Sequence, residues 1–429
     1  MTSKKLGILT ASSLVISSMI GTGVFTSLGF QVVDIKSGFS ILFLWLLGGV
    51  VAFCGAVCYA ELGSVYKRSG GEYNLLRELY HPALGFVAGW VSITVGFAAP
   101  AALAAMALAS YLGNIFPGLP ENHVAATTIL LFGGIHSHSL QFGSRIQNGT
   151  TILKVMLMLI FIALGFGITV PQEVSLLPTS RSWGEIVSPP FAVALIYVSY
   201  AYTGWNSSIY IIGEMDSPQR NLPRSLFLGT FIVMILYLLL NYIFLYTVPI
   251  STLAGALEVG FLSGRAIFGG IGGSIIAIAI SVLLLSTVSA YVFLGPRVSK
   301  ELGEDMKAFR ILAKTNGRGI PINAFAFSTI LSLGFIYSST FEQVLLYTSF
   351  LLISITTITV GGIFILRTRD KMQSGDYRAW GYPITPLIFI GVSLWTLVFV
   401  AVQQPVESGV SCAILLLGVG LYFVTKDQH

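Results

Sequence analysis

The sequence is short of charge. Only 10% of its 429 residues are Asp, Glu, Lys or Arg, whereas an ordinary soluble domain carries about 25%. Twenty-three basic and 18 acidic side chains cannot give a chain of this length a water-facing surface, and 55% of the residues are hydrophobic. The composition therefore excludes a soluble globular enzyme, a nucleic-acid-binding protein and a disordered chain. It predicts a protein embedded in a lipid bilayer.

Cysteines and catalytic motifs are equally scarce. The three cysteines, Cys54, Cys58 and Cys412, lie within apolar stretches and not in a predicted exterior loop. This placement predicts neither a disulfide framework nor a disulfide-linked accessory subunit. The sequence has no phosphate-binding loop, no His-Glu-x-x-His and no nucleophile elbow. We therefore expect no enzymatic activity, no cofactor and no metal site.

Long apolar runs dominate the chain instead. They are continuous rather than alternating, which favours helices over a β-barrel. The sequence predicts an all-α integral membrane protein with twelve transmembrane helices in a single domain, residues 1–429. The predicted spans are approximately 6–33, 38–66, 82–116, 121–139, 147–170, 187–212, 223–247, 265–298, 320–337, 340–366, 380–403 and 406–425.

Basic residues predict the orientation, because cytoplasmic loops of membrane proteins are enriched in Lys and Arg. If the N-terminus is inside, nineteen of the 23 basic residues fall on the inside. Three fall outside, namely Lys36, Arg181 and Arg265, and Lys154 lies within a span. The sequence thus predicts a multi-pass protein of the cell membrane with both termini in the cytoplasm.

Two of the spans contain glycine and polar residues at mid-length. Gly21-Thr22-Gly23 interrupts the first span, and the polar and aromatic run 200–206 interrupts the sixth. Such residues weaken a helix. Each interruption is either a close packing contact between small residues or a broken helix. In a broken helix the free amides suit a carboxylate and the free carbonyls suit an ammonium.

The positions of these interruptions favour broken helices. Spans one and six begin two successive sets of five helices, and an odd number of spans inverts the second set. Matching breaks in inverted repeats indicate the midplane site of a transporter. The sequence therefore predicts a five-plus-five core, with repeats at 1–170 and 187–366, followed by helices 11 and 12 at 380–425.

Four of the ionisable residues in the spans are candidates for a role in transport or metal binding. An ammonium inside the bilayer costs a few kcal/mol, so Lys154 either snorkels to the interface or faces the first break. In the second case it substitutes for a bound cation and is a candidate protonation switch. For Glu61 the sequence favours a structural carboxylate paired with an arginine, with proton coupling as the alternative. His136 and His138 are predicted to be interfacial rather than metal-binding, because their rings point apart on a helix.

Several segments resemble signatures of the amino acid–polyamine–organocation superfamily. Residues 19–25 resemble the glycine signature of its first span, and residues 59–63 with 69–73 resemble its span-two to span-three signature. Residues 201–206, 213–214 and 220–225 resemble its sixth span and the following loop. Gln147-Asn148 ahead of Lys154 is similar to the L-amino-acid transporter branch. Lys67-Arg68 departs from the pattern, since a proline-containing stretch is usual there.

This resemblance implies alternating access of an L-amino acid to a site at the two broken helices. The backbone amides expected to hold the carboxylate belong to Gly21, Thr22 and Gly23. The carbonyls expected to hold the ammonium come from Met19, Ile20, Tyr200, Ala201 and Thr203. The aromatic residues expected to form a lid are Tyr200, Tyr202 and Trp205. The resemblance also places Lys154 where sodium-coupled relatives of this fold bind a cation, with Ser286 or Ser289 as its neighbour.

Neither interruption contains a charged residue, so the pocket is predicted to be neutral. This favours small or medium neutral amino acids over arginine, lysine or polyamines. The leading hypothesis is a sodium-independent amino acid exchanger. The alternative is a proton-coupled symporter that uses Lys154 or Glu61. A channel or receptor with the same fold is the hypothesis from another class.

Overall fold

The computed structural model describes residues 6–138, 141–317, 319–369 and 372–425. These residues are predominantly helical. The helices of the first half are α1 (Ile8–Met19), α2 (Gly23–Asp34), α3 (Gly38–Val65), α4 (Gly71–Leu79), α5 (Pro82–Val91), α6 (Ala98–Gly113), α7 (Glu121–His138), α8 (Gln141–Gly165), α9 (Ser180–Ile186) and α10 (Pro189–Tyr202). Those of the second half are α11 (Pro218–Thr247), α12 (Ile250–Leu253), α13 (Val259–Asp305), α14 (Arg310–Ala313), α15 (Ile322–Ser338), α16 (Phe341–Thr368), α17 (Ile384–Gln403) and α18 (Pro405–Thr425).

Local sequence explains where several helices begin. The Ser37 side chain accepts a hydrogen bond from the Ser40 amide and caps α3. Thr340 and Gln343 cap α16 reciprocally, each side chain bonding the other residue's backbone amide. Proline occupies the first position of α10, where its missing N–H costs nothing. These caps satisfy backbone groups that the first turn of a helix leaves unpaired.

The apolar helices establish a multi-pass membrane protein. Within the described residues, eight segments are long and apolar enough to cross a bilayer. A ninth results if α9 and the segment Pro189–Glu214, bent by 68° against each other, form one span. Two shorter apolar helices are Thr151–Gly165 and Ile322–Ser338. Every predicted stretch coincides with a helix, while the count of twelve crossings and the five-plus-five repeat remain predictions.

Two further irregularities were not predicted. The third stretch contains a π-helical segment at Ser92–Gly96. Helix α13 begins before the predicted eighth span and is kinked at Gly269, whose φ of 75° suits glycine. The glycine cluster 269–273 therefore begins at a bend within a helix.

The two interrupted spans lie in the middle of the packed core. Met19 and Tyr202 are almost fully buried, and Trp45, Tyr111 and Tyr237 have no exposed surface. By contrast, α17 and α18 keep many apolar side chains exposed, among them Leu394, Val398, Leu416 and Leu417. Apolar residues exposed in this way suit contact with lipid.

Candidate functional site

The helix is interrupted at Gly21 and Thr22, as the glycines there suggest. Helix α1 ends at Met19, Ile20 has a non-helical ψ of 89°, and α2 begins at Gly23. The first backbone hydrogen bond of the new helix runs from the Phe25 amide to the Thr22 carbonyl at 3.1 Å. The backbone amides that precede Phe25 lie at the N-terminal end of α2. This end of a helix has N–H groups without a partner in the same helix and carries partial positive charge.

The sixth span is interrupted after Tyr202. Helix α10 ends there, residues 203–206 form turns, and a 3₁₀ helix runs from Ser207 to Glu214. Gly204 has a φ of 103°, a conformation that glycine adopts without penalty. The first half of the sixth span is therefore an α-helix and its second half a 3₁₀ helix.

The two interruptions pack against each other through glycine. A Cβ atom on Gly23 would lie 2.5 Å from the Cα of Ala201, and one on Gly204 would lie 2.8 Å from the Ser18 backbone. The backbone of each interrupted span is therefore in close contact with the backbone of the other. Gly21 differs, because a Cβ there would sit at an ordinary 3.7 Å from Cγ2 of Thr287. The two alternatives for these interruptions, close packing of small residues and a broken helix, therefore both apply.

Tyr237 of α11 bridges the two breaks. Its hydroxyl lies 2.6 Å from the Met19 carbonyl oxygen and 3.1 Å from the Ala201 carbonyl oxygen, so its proton is shared between them. Sequence reasoning did not find this residue. Tyr237 lies in a long apolar run, and only the three-dimensional packing reveals which face of that helix meets the breaks.

Three of the carbonyls predicted to hold an ammonium accept hydrogen bonds within the protein. The Met19 and Ala201 carbonyls accept from Tyr237, and the Tyr200 carbonyl accepts from the Thr203 amide at 3.0 Å. Because a carbonyl oxygen has two lone pairs, the predicted set stays a prediction. The Tyr200 side chain lies beside Thr22, close to the first break.

Lys154 is buried and does not snorkel. Only 4% of the residue is exposed, and Nζ donates to Oγ1 of Thr287 at 3.2 Å. Since Thr287 also faces Gly21, it connects the ammonium to the first break. The predicted neighbours Ser286 and Ser289 flank this residue, and Ser289 instead bonds His136 at 2.9 Å. The hydroxyl that accepts from Nζ of Lys154 is therefore that of Thr287, between the two predicted serines.

The aromatic residues expected to form a lid are engaged elsewhere. The Tyr202 hydroxyl donates to the Trp45 carbonyl at 3.1 Å, and its ring lies 5.1 Å from that of Tyr237. The Trp205 ring packs edge-on against Tyr59 at 4.7 Å and lies 5.9 Å from Phe389. In this conformation both rings have packing roles. A lid function for them requires that they leave these contacts, and it remains a prediction.

Glu61 forms a structural ion pair, the interpretation that the sequence favours. Arg367 donates to both carboxylate oxygens at 2.9 and 2.8 Å, and the Ala379 amide donates at 2.6 Å. The guanidinium also lies 3.7 Å from the ring centre of Tyr382. Glu61 thus joins the end of α3 to the end of α16 and to the segment before α17.

His136 is buried inside the protein, and its ring lies 5.3 Å from that of Phe293. Its predicted position at the membrane interface stays a prediction. The side chain of His138 lies outside the described residues, as do those of Gln147 and Asn148. Cys54 and Cys58 are buried as expected, whereas Cys412 is exposed on α18.

Apolar helices that cross the bilayer, two of them broken and packed on each other beside a buried lysine, define a permease-type membrane protein. The family described as "Amino acid permease" matches residues 6–421. The chain belongs to this family, in the L-amino-acid transporter branch of the amino acid–polyamine–organocation superfamily, which confirms the resemblance. It is accordingly a transporter-family protein and not an enzyme.

Named relatives match almost the entire chain. The serine/threonine exchanger SteT of Bacillus subtilis is 28% identical, covering 99% of this chain and 97% of its own. The human large neutral amino acids transporter small subunit 2 is 26% identical, covering 98% of this chain and 80% of its own. The mouse Asc-type amino acid transporter 1 is 24% identical, covering 98% and 81%. These relatives support amino acid transport as the activity.

Proposed function

We propose that the protein is a sodium-independent exchanger of small or medium neutral L-amino acids, with the substrate bound at the two helix breaks. One observation carries the proposal, namely Lys154 buried beside the first break through Thr287. A fixed ammonium at that position supplies a positive charge without a coupling cation. The free backbone groups of both breaks then recognise the substrate carboxylate and ammonium, which every amino acid shares.

The neutral character of the breaks supports the proposed substrate class. A charged substrate side chain needs an opposite charge when it is buried, and neither break provides one. The relatives named for serine, threonine and large neutral amino acids agree with this choice. We also propose twelve crossings and both termini in the cytoplasm. We propose no disulfide-linked subunit, since Cys54 and Cys58 are buried and Cys412 lies within the apolar helix α18.

A counterflow screen tests the substrate class. Purified protein in proteoliposomes is loaded with each of the twenty amino acids in turn, and the uptake of labelled serine is measured. We expect acceleration by neutral amino acids and none by arginine, lysine or glutamate. Acceleration by a charged amino acid would contradict the proposed pocket.

Proton-coupled symport is the second candidate, with Lys154 or Glu61 as the proton carrier. The position of Lys154 favours it, because this ionisable side chain is buried and connected through Thr287 to the first break. The ion pair between Glu61 and Arg367 disfavours Glu61 as the proton carrier, because the carboxylate is already engaged. An imposed pH gradient distinguishes the candidates, since symport predicts faster uptake with an inward gradient and exchange predicts no change.

A further inference from the structure

The signature Ser-Gly-Gly-Glu at residues 69–72 has no part in the proposed substrate site. It precedes and opens α4, on the side that the basic residues predict to be cytoplasmic. The structure shows what these residues contact. They form a cradle, here called the Glu72 cradle and defined as residues 69–72, for the 3₁₀ half of the sixth span.

Backbone geometry explains the two glycines. Gly70 and Gly71 have φ values of 119° and 58°, which favour glycine. A Cβ on Gly71 would lie 2.3 Å from a ring carbon of Tyr210, so only glycine lets this ring approach. The Gly213 amide donates to the Ser69 hydroxyl at 3.0 Å. The cradle therefore contacts the 3₁₀ helix at two separate points.

Glu72 provides the central contact. Only 4% of the residue is exposed, and its carboxylate accepts hydrogen bonds from Tyr59, Asn206 and Tyr210. Tyr59 belongs to α3, Asn206 lies in the turns that interrupt the sixth span, and Tyr210 lies in the 3₁₀ helix that follows them. One carboxylate thus joins α3, α4 and the second half of the sixth span.

The arrangement depends on the exclusion of water. A buried carboxylate needs all its hydrogen bonds, because leaving it without donors costs its full desolvation penalty. Once water enters, it replaces the tyrosine and amide donors and the three elements no longer hold together. Loss of these donors to water would therefore separate the three elements, a change of the discrete kind that switching transitions use.

We propose that Glu72 is the latch that closes the cytoplasmic side of the transport path, and that it must release the second half of the sixth span before that side opens. The proposal rests on the proposed function, because a latch of this kind has a role only in alternating access. Glu72 acts through Asn206 and Tyr210 and is a positioning residue, with no contact to substrate required.

Cysteine labelling tests this proposal without measuring transport. Ser207, in the same 3₁₀ helix, has a buried hydroxyl with no hydrogen-bond partner among the described residues. Ser207→Cys in a background without the native cysteines is exposed to a membrane-impermeant maleimide from the cytoplasmic face. We expect Glu72→Gln to raise the labelling rate at least about fivefold, because an amide cannot accept from all three donors. Tyr210→Phe, which keeps the ring, should give a smaller rise.

Glu342→Gln is the matched control. Glu342 accepts from Tyr197 in the first half of the same span, so the chemical change is identical but lies beyond the break. It should leave cytoplasmic labelling unchanged. The latch is refuted if Glu72→Gln and Tyr210→Phe label at the parent rate, or if Glu342→Gln raises labelling equally. Faster labelling in a protein without exchange activity would keep the latch as a structural closure and remove only the proposed function.

Discussion

Tyr237 places one hydroxyl between the carbonyls of Met19 and Ala201, and so couples the two broken helices through a single proton. Its ring is held independently, edge-on to Trp45 at 5.6 Å. The side chain can therefore lose its hydroxyl without losing its packing. This separation makes Tyr237 a suitable probe of the breaks.

We expect Tyr237→Phe to slow uptake about tenfold, since leaving the buried carbonyl acceptors without their donor costs ~1.4 kcal/mol. Initial rates in proteoliposomes measure this, with the melting temperature in detergent as a check on folding. Tyr202→Phe is the control, because it removes a buried hydroxyl from the same aromatic cluster. Equal losses in both variants would show that the cluster, and not the bridge, is responsible.

Lys154 and Thr287 should act as one unit. Lys154→Ala is expected to reduce transport and to change apparent affinity more on one side of the membrane than on the other. Thr287→Val, which keeps the shape of the side chain, should reproduce part of the loss. If the ammonium acts through Thr287, the double variant is no worse than Lys154→Ala alone. Additive losses would contradict the connection to the first break.

The sequence predicts Lys154 but not its partner, for a physical reason. A charge inside an apolar span is conspicuous because its burial is costly. Thr287 and Tyr237 are ordinary residues of apolar helices, and both the lipid-facing and core-facing sides of such helices are hydrophobic. Periodicity therefore does not identify the inward face. The buried position of His136 was missed for the same reason.

At the scale of elements, two glycines of the first break have different roles: Gly23 allows close helix packing, and Gly21 faces the proposed substrate site. A Cβ on Gly23 would collide with Ala201, whereas one on Gly21 has ordinary space. Gly23→Ala should lower the melting temperature, since overpacking costs about 1–3 kcal/mol. Gly21→Ala should fold normally but bind substrate more weakly, because the added methyl group crowds the amides. Substrate-induced thermal shifts measure both effects. Normal binding by Gly21→Ala would count against the amide site.

The ion pair of Glu61 and Arg367 joins α3 to α16, and its role is testable as stability. Removing one partner of a buried pair costs about 3–5 kcal/mol. We therefore expect Glu61→Gln to lose thermal stability, and we expect a pH gradient to leave uptake unchanged in both the parent and the variant. A parent whose uptake responds to the gradient, together with a stable Glu61→Gln variant whose uptake does not, would instead identify Glu61 as a proton carrier.

Both main helix interruptions could be predicted, because glycine and polar residues in an apolar run are a local signal. The π-helical segment Ser92–Gly96 could not, since its sequence resembles the rest of its apolar span. Tyr202 and Trp205 were assigned to a lid from their position in the motif. Their orientation depends on contacts with Trp45 and Tyr59, which are distant in sequence.

At the scale of the whole molecule, orientation follows from the distribution of basic residues and can be measured directly. Cysteines introduced at Ser251 and at Gln373 lie on opposite sides of the predicted topology. In a background without Cys412, Ser251→Cys should label from outside in intact cells. Gln373→Cys should label only after permeabilisation. The reverse pattern would invert the topology and move the Glu72 cradle to the exterior.

The ammonium of Lys154, buried beside the first break, leads at the scale of the whole molecule to one claim, exchange without a coupling ion. Labelled serine or alanine uptake into proteoliposomes, loaded with unlabelled amino acid or empty and without sodium or a pH gradient, tests it most directly. The account predicts rapid uptake into loaded vesicles and little into empty ones. Equal uptake into both, or uptake that requires sodium, would contradict it.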